Sequence, residues 1–311
     1  MLTVERLTKK YGNNVAVNGV SFAVEKGDSF GLLGPNGAGK TTTISIIAGT
    51  IDADSGLASL DGNPIGSNLS GAKKRIGFVP QEVALFDDLS PRANLKFFGA
   101  LYGMFGREAD VASERVLELV GLTERGNEQV RKFSGGMRRR LNIAVGLLHS
   151  PDLIILDEPT VGVDPQSRNA IFDTLLQLRE QGITILYTTH YMEEVERLCR
   201  HVAIMDRGQI VAQGDLASLK GGLGGPQRVS VELDADINLP ASTNIPGAQA
   251  WTPSGSTVTL EVKDLGKGLS EILGFFADRG LRVIAVKSAQ TTLEEVFLDV
   301  TGKQLRDSVS A

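Results

Sequence analysis

Short apolar runs recur through the first two thirds of the chain. "LTVERLT", "VAVNGVSFAV" and "DSFGLL" read as short strands separated by Gly/Asn turns. "RIGFVPQ", "DLIILDEP" and "GITILYTTH" follow, each short, each carrying β-branched residues, with helical stretches between them. That pattern predicts buried strands of a mostly parallel sheet. Between the first two of these runs the apolar period lengthens to that of helices: Leu95, Phe98, Tyr102, then Ala112, Val116, Leu119, Val120, then Met137, Leu141, Ala144, Leu148.

The glycine-dense "LKGGLGGPQ" breaks the pattern and predicts a linker over residues 219–227. Beyond it, alternation in "RVSVEL" and "STVTLEV" predicts strands, and Leu269, Ile272, Leu273 and Phe276 mark a helix closed by Gly280. "LRVIAV" reads as another strand, and "TTLEEVFLDV" as a helix opened by a capping box between Thr292 and Glu295. The expected organisation is an α/β domain over residues 1–218, with a helical subdomain at about 88–150, followed by a small α+β domain over 228–311.

Composition narrows this picture in three ways. No window approaches the roughly 18 apolar residues of a membrane-spanning helix, and "MLTVERLTKKYG" carries charges where a signal peptide has its apolar region. The chain is therefore expected in the cytoplasm. The lone cysteine, Cys199, excludes an internal disulfide and a cysteine-cluster metal site. A net charge of −5 argues against a nucleic-acid partner, and the basic run Arg138–Arg140 reads as a solvated helix face.

The candidate chemistry gathers where the apolar runs end. "GPNGAGKTT", Gly34 to Thr42, fits G-x-x-x-x-G-K-[ST] between a strand and a helix. Gly37 and Gly39 let backbone N–H groups close on phosphates, Lys40 reaches the β and γ oxygens, and the Thr41 hydroxyl suits Mg2+. "LIILDEP" delivers Asp157 and Glu158 to the carboxyl end of a strand, where open α/β sheets bind ligands. Asp157 can hold Mg2+ through water, and Glu158 can orient or deprotonate an attacking water. Gln81 and His190 also follow strand runs, which puts them on the same edge. In "FSGGMRRRLNIAVGLL", Ser134 is either a helix N-cap or, with Gly135 and Gly136, part of a second anion site for another subunit's nucleotide.

These motifs, in this order, resemble the ATP-binding cassette family, the ATPase subunits of ABC transporters, over residues 2 to 218. The resemblance implies a P-loop fold of ABC type, with antiparallel N-terminal strands beside a mostly parallel sheet and a helical subdomain. It also implies ATP bound with Mg2+ through Gly34, Asn36, Gly37, Ala38, Gly39, Lys40, Thr41 and Thr42. Gln81 and Asp157 join Thr41 as metal ligands. Glu158, His190, Gln81 and Lys40 would carry hydrolysis, and Tyr11 in "TKKYG" would stack on adenine. The implied assembly is a head-to-tail dimer in which Ser134, Gly135 and Gly136 of one chain meet the nucleotide of the other, with Asp164 crossing between them. A separate transmembrane permease is the implied partner, which would hold the chain at the inner face of the membrane. The signature stretch departs from the commonest form by having Phe133 and Met137 in place of leucine and glutamine. "FSGGM" and the closing "TTLEEVFLDVTG" resemble the daunorubicin-type drug and lipid exporters. A soluble ABC-type ATPase is the main alternative, and the lack of N-K-x-D argues against a GTPase.

Overall fold

Among the described residues three sheets account for the strands. In chain order the computed structural model begins with β1 (Leu2–Tyr11), β2 (Asn14–Val24), β3 (Ser29–Leu33), α1 (Lys40–Ile47), β4 (Ser55–Leu60), β5 (Asn63–Pro64), α2 (Ser70–Lys73) and β6 (Ile76–Val79). The helical stretch comprises α3 (Pro91–Leu101), α4 (Gly106–Leu119) and α5 (Gly135–Leu147). Then come β7 (Leu153–Asp157), α6 (Pro165–Glu180), β8 (Thr184–Thr189), α7 (Met192–Leu198), β9 (His201–Asp206) and β10 (Gln209–Asp215). The chain continues through α8 (Leu216–Gly221), β11 (Gln227–Leu233), β12 (Ala250–Ser254), β13 (Thr257–Val262), α9 (Leu265–Ala277), β14 (Val283–Ala289) and α10 (Leu293–Thr301). The structure describes residues 1–66, 70–221, 227–237, 239–240, 242–289 and 292–301.

The chain divides into two compact units, one built on Met1–Gly214 and the other beginning at Asp215. In the first, a six-stranded sheet runs β10-β9-β3-β8-β7-β6, and the pairs β9/β3, β3/β8, β8/β7 and β7/β6 are parallel. Every residue of β3, β7 and β8 is buried, which is why their sequences are apolar without alternation. The register sets Leu33 beside Thr189, Asp157 beside Thr188, and Val79 beside Leu156. The carboxyl ends of four strands therefore lie on one edge. A second sheet, β2-β1-β4-β5, pairs antiparallel, and its inner residues Leu2, Val4, Leu7 and Leu60 share a core with Ile44 and Ile47 of α1.

The helices α3 and α5 start on serine caps: Ser90 Oγ accepts from Ala93 N at 3.2 Å and Ser134 Oγ accepts from Met137 N at 3.2 Å. Leu95, Val116 and Leu141 are buried as the helical period requires. Tyr102 is not; it stands at the surface with its ring stacked on His149 at 3.8 Å. In α4 the inner place next to Val116 belongs to Leu117 rather than Leu119.

The second unit has its own antiparallel sheet, β12-β13-β11-β14, with Val229, Val231, Val258 and Leu260 packed on Ile272, Phe275 and Phe276 of α9. Reciprocal bonds between Thr292 and Glu295, at 3.2 and 3.3 Å, form the capping box of α10. Of the stretch read as a linker, residues 219–221 end α8 and Gln227 opens β11, while 222–226 fall outside the described residues.

Candidate active site

The loop from β3 into α1 is built around glycine. Gly39 caps α1 at φ 101°, and a Cβ there would run into the Ala16 carbonyl, so no other residue fits without moving β2. No side chain caps α1, which leaves its first N–H groups for a ligand. Gly34 lies buried at the root of the loop, its N–H bonded to Thr189 O at 3.3 Å. Lys40 folds back over this loop: its Nζ donates to Gly34 O at 2.8 Å and Pro35 O at 3.1 Å, and lies 3.1 Å from Glu158 Oε1. Both side chains of that ion pair are nearly fully buried.

Asp157 ends β7 at 1% exposure. Burial pushes its carboxyl upward, while hydrogen bonds from the Thr188 hydroxyl, at 2.6 Å, and from Thr41 pull partly the other way. Glu158 adopts φ 43°, a left-handed conformation that costs a non-glycine residue roughly 1–3 kcal/mol. Its N–H is held by Thr188, at 3.2 Å to the carbonyl and 3.1 Å to the hydroxyl. The turn aims the carboxylate across the strand ends. There Gln81 Nε2 donates to Oε2 at 3.4 Å, and His190 Nδ1 lies 3.3 Å from Oε1 without the alignment of a hydrogen bond.

A cleft of about 840 Å³ joins these parts. Asn36 through Thr42 line it together with Tyr11, Gln81, Glu158 and His190, so the strand ends bring those predicted residues to one place. Tyr11 sits at its mouth, 51% exposed, at the end of β1. Asp157 does not line the cleft but lies beneath it, behind Thr41. Tyr191 and Arg207 also line it and went unnoticed in the sequence. Tyr191 packs on the His190 ring at 4.0 Å, and only its position beside that histidine could have flagged it.

Ser134, Gly135, Gly136 and Asp164 do not reach this cleft. They gather where α5 meets α6: Ser134 caps the first helix and Asp164 the second, with Asp164 Oδ1 accepting from Ser167 N at 2.9 Å. A Cβ on Gly136 would collide with the Ser167 side chain, so the two helix starts touch. Ser134, Gly135 and Asp164 are exposed, and hydrogen bonds from Ser167 hold the Asp164 carboxyl below the ordinary range.

The basic run at the start of α5 is not a solvated face. Arg138 does point outward, 3.1 Å from Asp87, but Arg139 is 3% exposed and Arg140 donates to Val120 O at 2.7 Å. The helical period explains the difference, since Arg139 falls in line with the buried Gly136, Asn142, Ile143 and Gly146. Its guanidinium donates to five backbone carbonyls at the cleft edge, those of Pro80, Gln81, Asp157, Glu158 and Pro159, at 2.7 to 2.9 Å. Burial pushes this group downward from the usual arginine range.

A phosphate loop, an acid pair and a polar edge on this mixed sheet, with a helical stretch carrying a Ser-Gly-Gly start, define an ATP-binding cassette. The chain belongs to the ABC transporter family, whose description matches residues 17–161, and it is an ATP-binding, ATP-hydrolysing subunit of that kind. Among named relatives, it is 42% identical over 311 residues to the linearmycin resistance ATP-binding protein LnrL of Bacillus subtilis, spanning 99% of this chain and 100% of that protein. The Nod factor export ATP-binding protein I of Cupriavidus pinatubonensis is 39% identical, spanning 99% of this chain and 92% of its own. The daunorubicin resistance ATP-binding protein DrrA3 of Streptomyces coeruleorubidus is 34% identical, with spans of 98% and 97%. Among solved structures, an ATP-binding subunit of an ABC transporter superposes with a TM-score of 0.65 at 28% identity, covering 72% of this chain and 93% of its own. A dimeric ATP-binding cassette in a post-hydrolysis state with ADP and Pi gives 0.63 at 25% identity, covering 70% of this chain and 100% of its own.

Proposed function

We propose that this chain powers an exporter of drugs, antibiotics or lipids, hydrolysing ATP in the cleft and passing the motion to a separate transmembrane permease. The observation that carries the reading is the meeting of Lys40, Gln81 and His190 around one carboxylate, Glu158, beside a bare helix start. Full-length similarity to resistance and export ATP-binding proteins supports the exporter class.

In this mechanism the N–H groups of Gly37 to Thr42 cradle the phosphates, and Lys40 leaves Glu158 to bind the β and γ oxygens. Freed, Glu158 takes a proton from the attacking water while Gln81 and His190 orient it. Tyr11, exposed at the mouth, offers a face to adenine. Thr41, Gln81 and Asp157 offer a hydroxyl, an amide oxygen and a carboxylate, the all-oxygen set that suits Mg2+. Bound there, the ion would neutralise charge developing on the phosphates.

The exposed start of α5 serves a second copy of the chain. Ser134, Gly135 and Gly136 of each subunit would close on the nucleotide in the other, with the neighbouring Asp164 at the seam. That assignment gives a use to a helix start lying outside its own chain's cleft. The permease would dock around Val83–Asn94, where Val83, Phe86 and Leu89 are exposed and Phe97, Leu101 and Phe105 extend the apolar surface. Among the described residues no helix is long and apolar enough to cross a membrane. We assign the chain to the cytoplasmic face, held there by its permease, with the unit that begins at Asp215 as an accessory domain. The test is light scattering of the Glu158→Gln chain with and without ATP. A dimer only with ATP is expected, and a persistent monomer would overturn the two-copy assembly.

A further inference from the structure

We propose that Arg139 is a positioning residue for hydrolysis: from the helix that begins at Ser134, it fixes the backbone on which Gln81 and Glu158 are mounted. The inference rests on Glu158 acting as the base.

The contacts are unusually complete. Nε donates to Pro159 O, Nη1 to Pro80 O and Gln81 O, and Nη2 to Asp157 O and Glu158 O. An arginine has five N–H groups, and here each has a carbonyl acceptor. All five acceptors belong to two segments, the one leaving β6 and the one leaving β7. Those segments carry the cleft residues Gln81 and Glu158, whose side chains meet at 3.4 Å.

Packing alone does not account for such a residue. A buried cation is costly, and no carboxylate forms an ion pair with this one among the described residues. An apolar side chain would fill the space more cheaply but would remove five hydrogen bonds, leaving Pro80 O with only Asn142 Nδ2 at 3.4 Å and Glu158 O with only Val161 N at 3.3 Å. What the arginine supports is the strained residue. Glu158 stays at φ 43° because Thr188 holds its N–H and Arg139 holds its carbonyl at 2.8 Å, a shorter bond than the 3.3 Å one that Val161 N–H makes to the same oxygen. Without the second hold, the turn can relax and the carboxylate swings away from its water. The phosphate-binding backbone from Gly37 to Thr42 makes none of these contacts, so Arg139 reaches the nucleotide only through Gln81 and through Glu158 with its ion pair to Lys40. Lysine cannot substitute, because three donors on a single nitrogen cannot span two segments.

The experiment compares Arg139→Lys and Arg139→Gln in the full chain, alone and combined with Glu158→Gln. It measures phosphate release, ATP affinity and melting temperature. Either single variant should lose about 10–100-fold in kcat, the scale of an ångström-sized misplacement, with ATP affinity unchanged or raised, because a displaced Glu158 no longer competes for Lys40. In the Glu158→Gln background either should add a clearly smaller loss than it causes alone, the remainder passing through Gln81, since the arginine acts largely through that glutamate. Unchanged kcat in both variants overturns the inference, as does a parallel fall of kcat, affinity and melting temperature, which would mark a scaffold residue only. Multiplying losses in the double variants overturn it as well. Near-normal turnover of Glu158→Gln alone would instead overturn the reading of Glu158 as base. Should Arg139→Gln fail to fold, Arg139→Lys, which keeps the charge, carries the comparison.

Discussion

Glu158 carries two demands at once, an unfavourable backbone and a carboxylate aimed at Lys40, Gln81 and His190. Glu158→Gln keeps the shape and removes the proposed base, so turnover should fall about 10²–10⁴-fold while ATP still binds, as phosphate-release and binding assays would show. Tyr11 stands apart at the cleft mouth with half its surface free. Tyr11→Ala should cost about 1–3 kcal/mol of ATP affinity, by analogy with base stacking, and Tyr11→Phe almost none; equal affinities in a titration would remove the stacking role. Lys40, Gln81, Glu158 and His190 were legible in the sequence because each directly follows a strand or loop of recognisable pattern. Arg139 was not. Three consecutive arginines read as solvent-facing, and the partners of the middle one are backbone carbonyls, which leave no trace in residue identity.

Elements show the same division between what composition reveals and what only packing decides. The all-buried strands β3, β7 and β8 announce themselves as unbroken apolar runs. β4, β5 and β12 do not, since their residues include glycine, proline or exposed positions, and they are strands because neighbours already supply a ladder. The start of α5 was ambiguous between a cap and an anion site, and the geometry contains the cap explicitly. Ser and Gly at an exposed helix start can serve both roles. Ser134→Arg should leave ATP binding by the single chain within about threefold but abolish the ATP-dependent dimer in light scattering, because a bulky cation would occupy the seam. An intact dimer would confine Ser134 to capping.

At the scale of the whole molecule, among the described residues each unit has a core of its own, one beneath the sheets of the first unit and one between α9 and its sheet in the second. Phe276 is fully buried in the latter. Phe276→Ala should cost about 3–5 kcal/mol and lower a melting transition of the second unit, while the transition that ATP raises stays in place. A single transition shifting as one in calorimetry would show that the cores unfold together.

The ion pair between Lys40 and Glu158 has a consequence for timing. The group proposed to activate water is itself the counter-ion of the lysine. On that assignment substrate would have to evict it, and part of the attraction between phosphate and lysine would go into that exchange. The molecule would thereby give up some affinity and gain order of events: the reagent would be unmasked only by the arrival of what it is meant to cut.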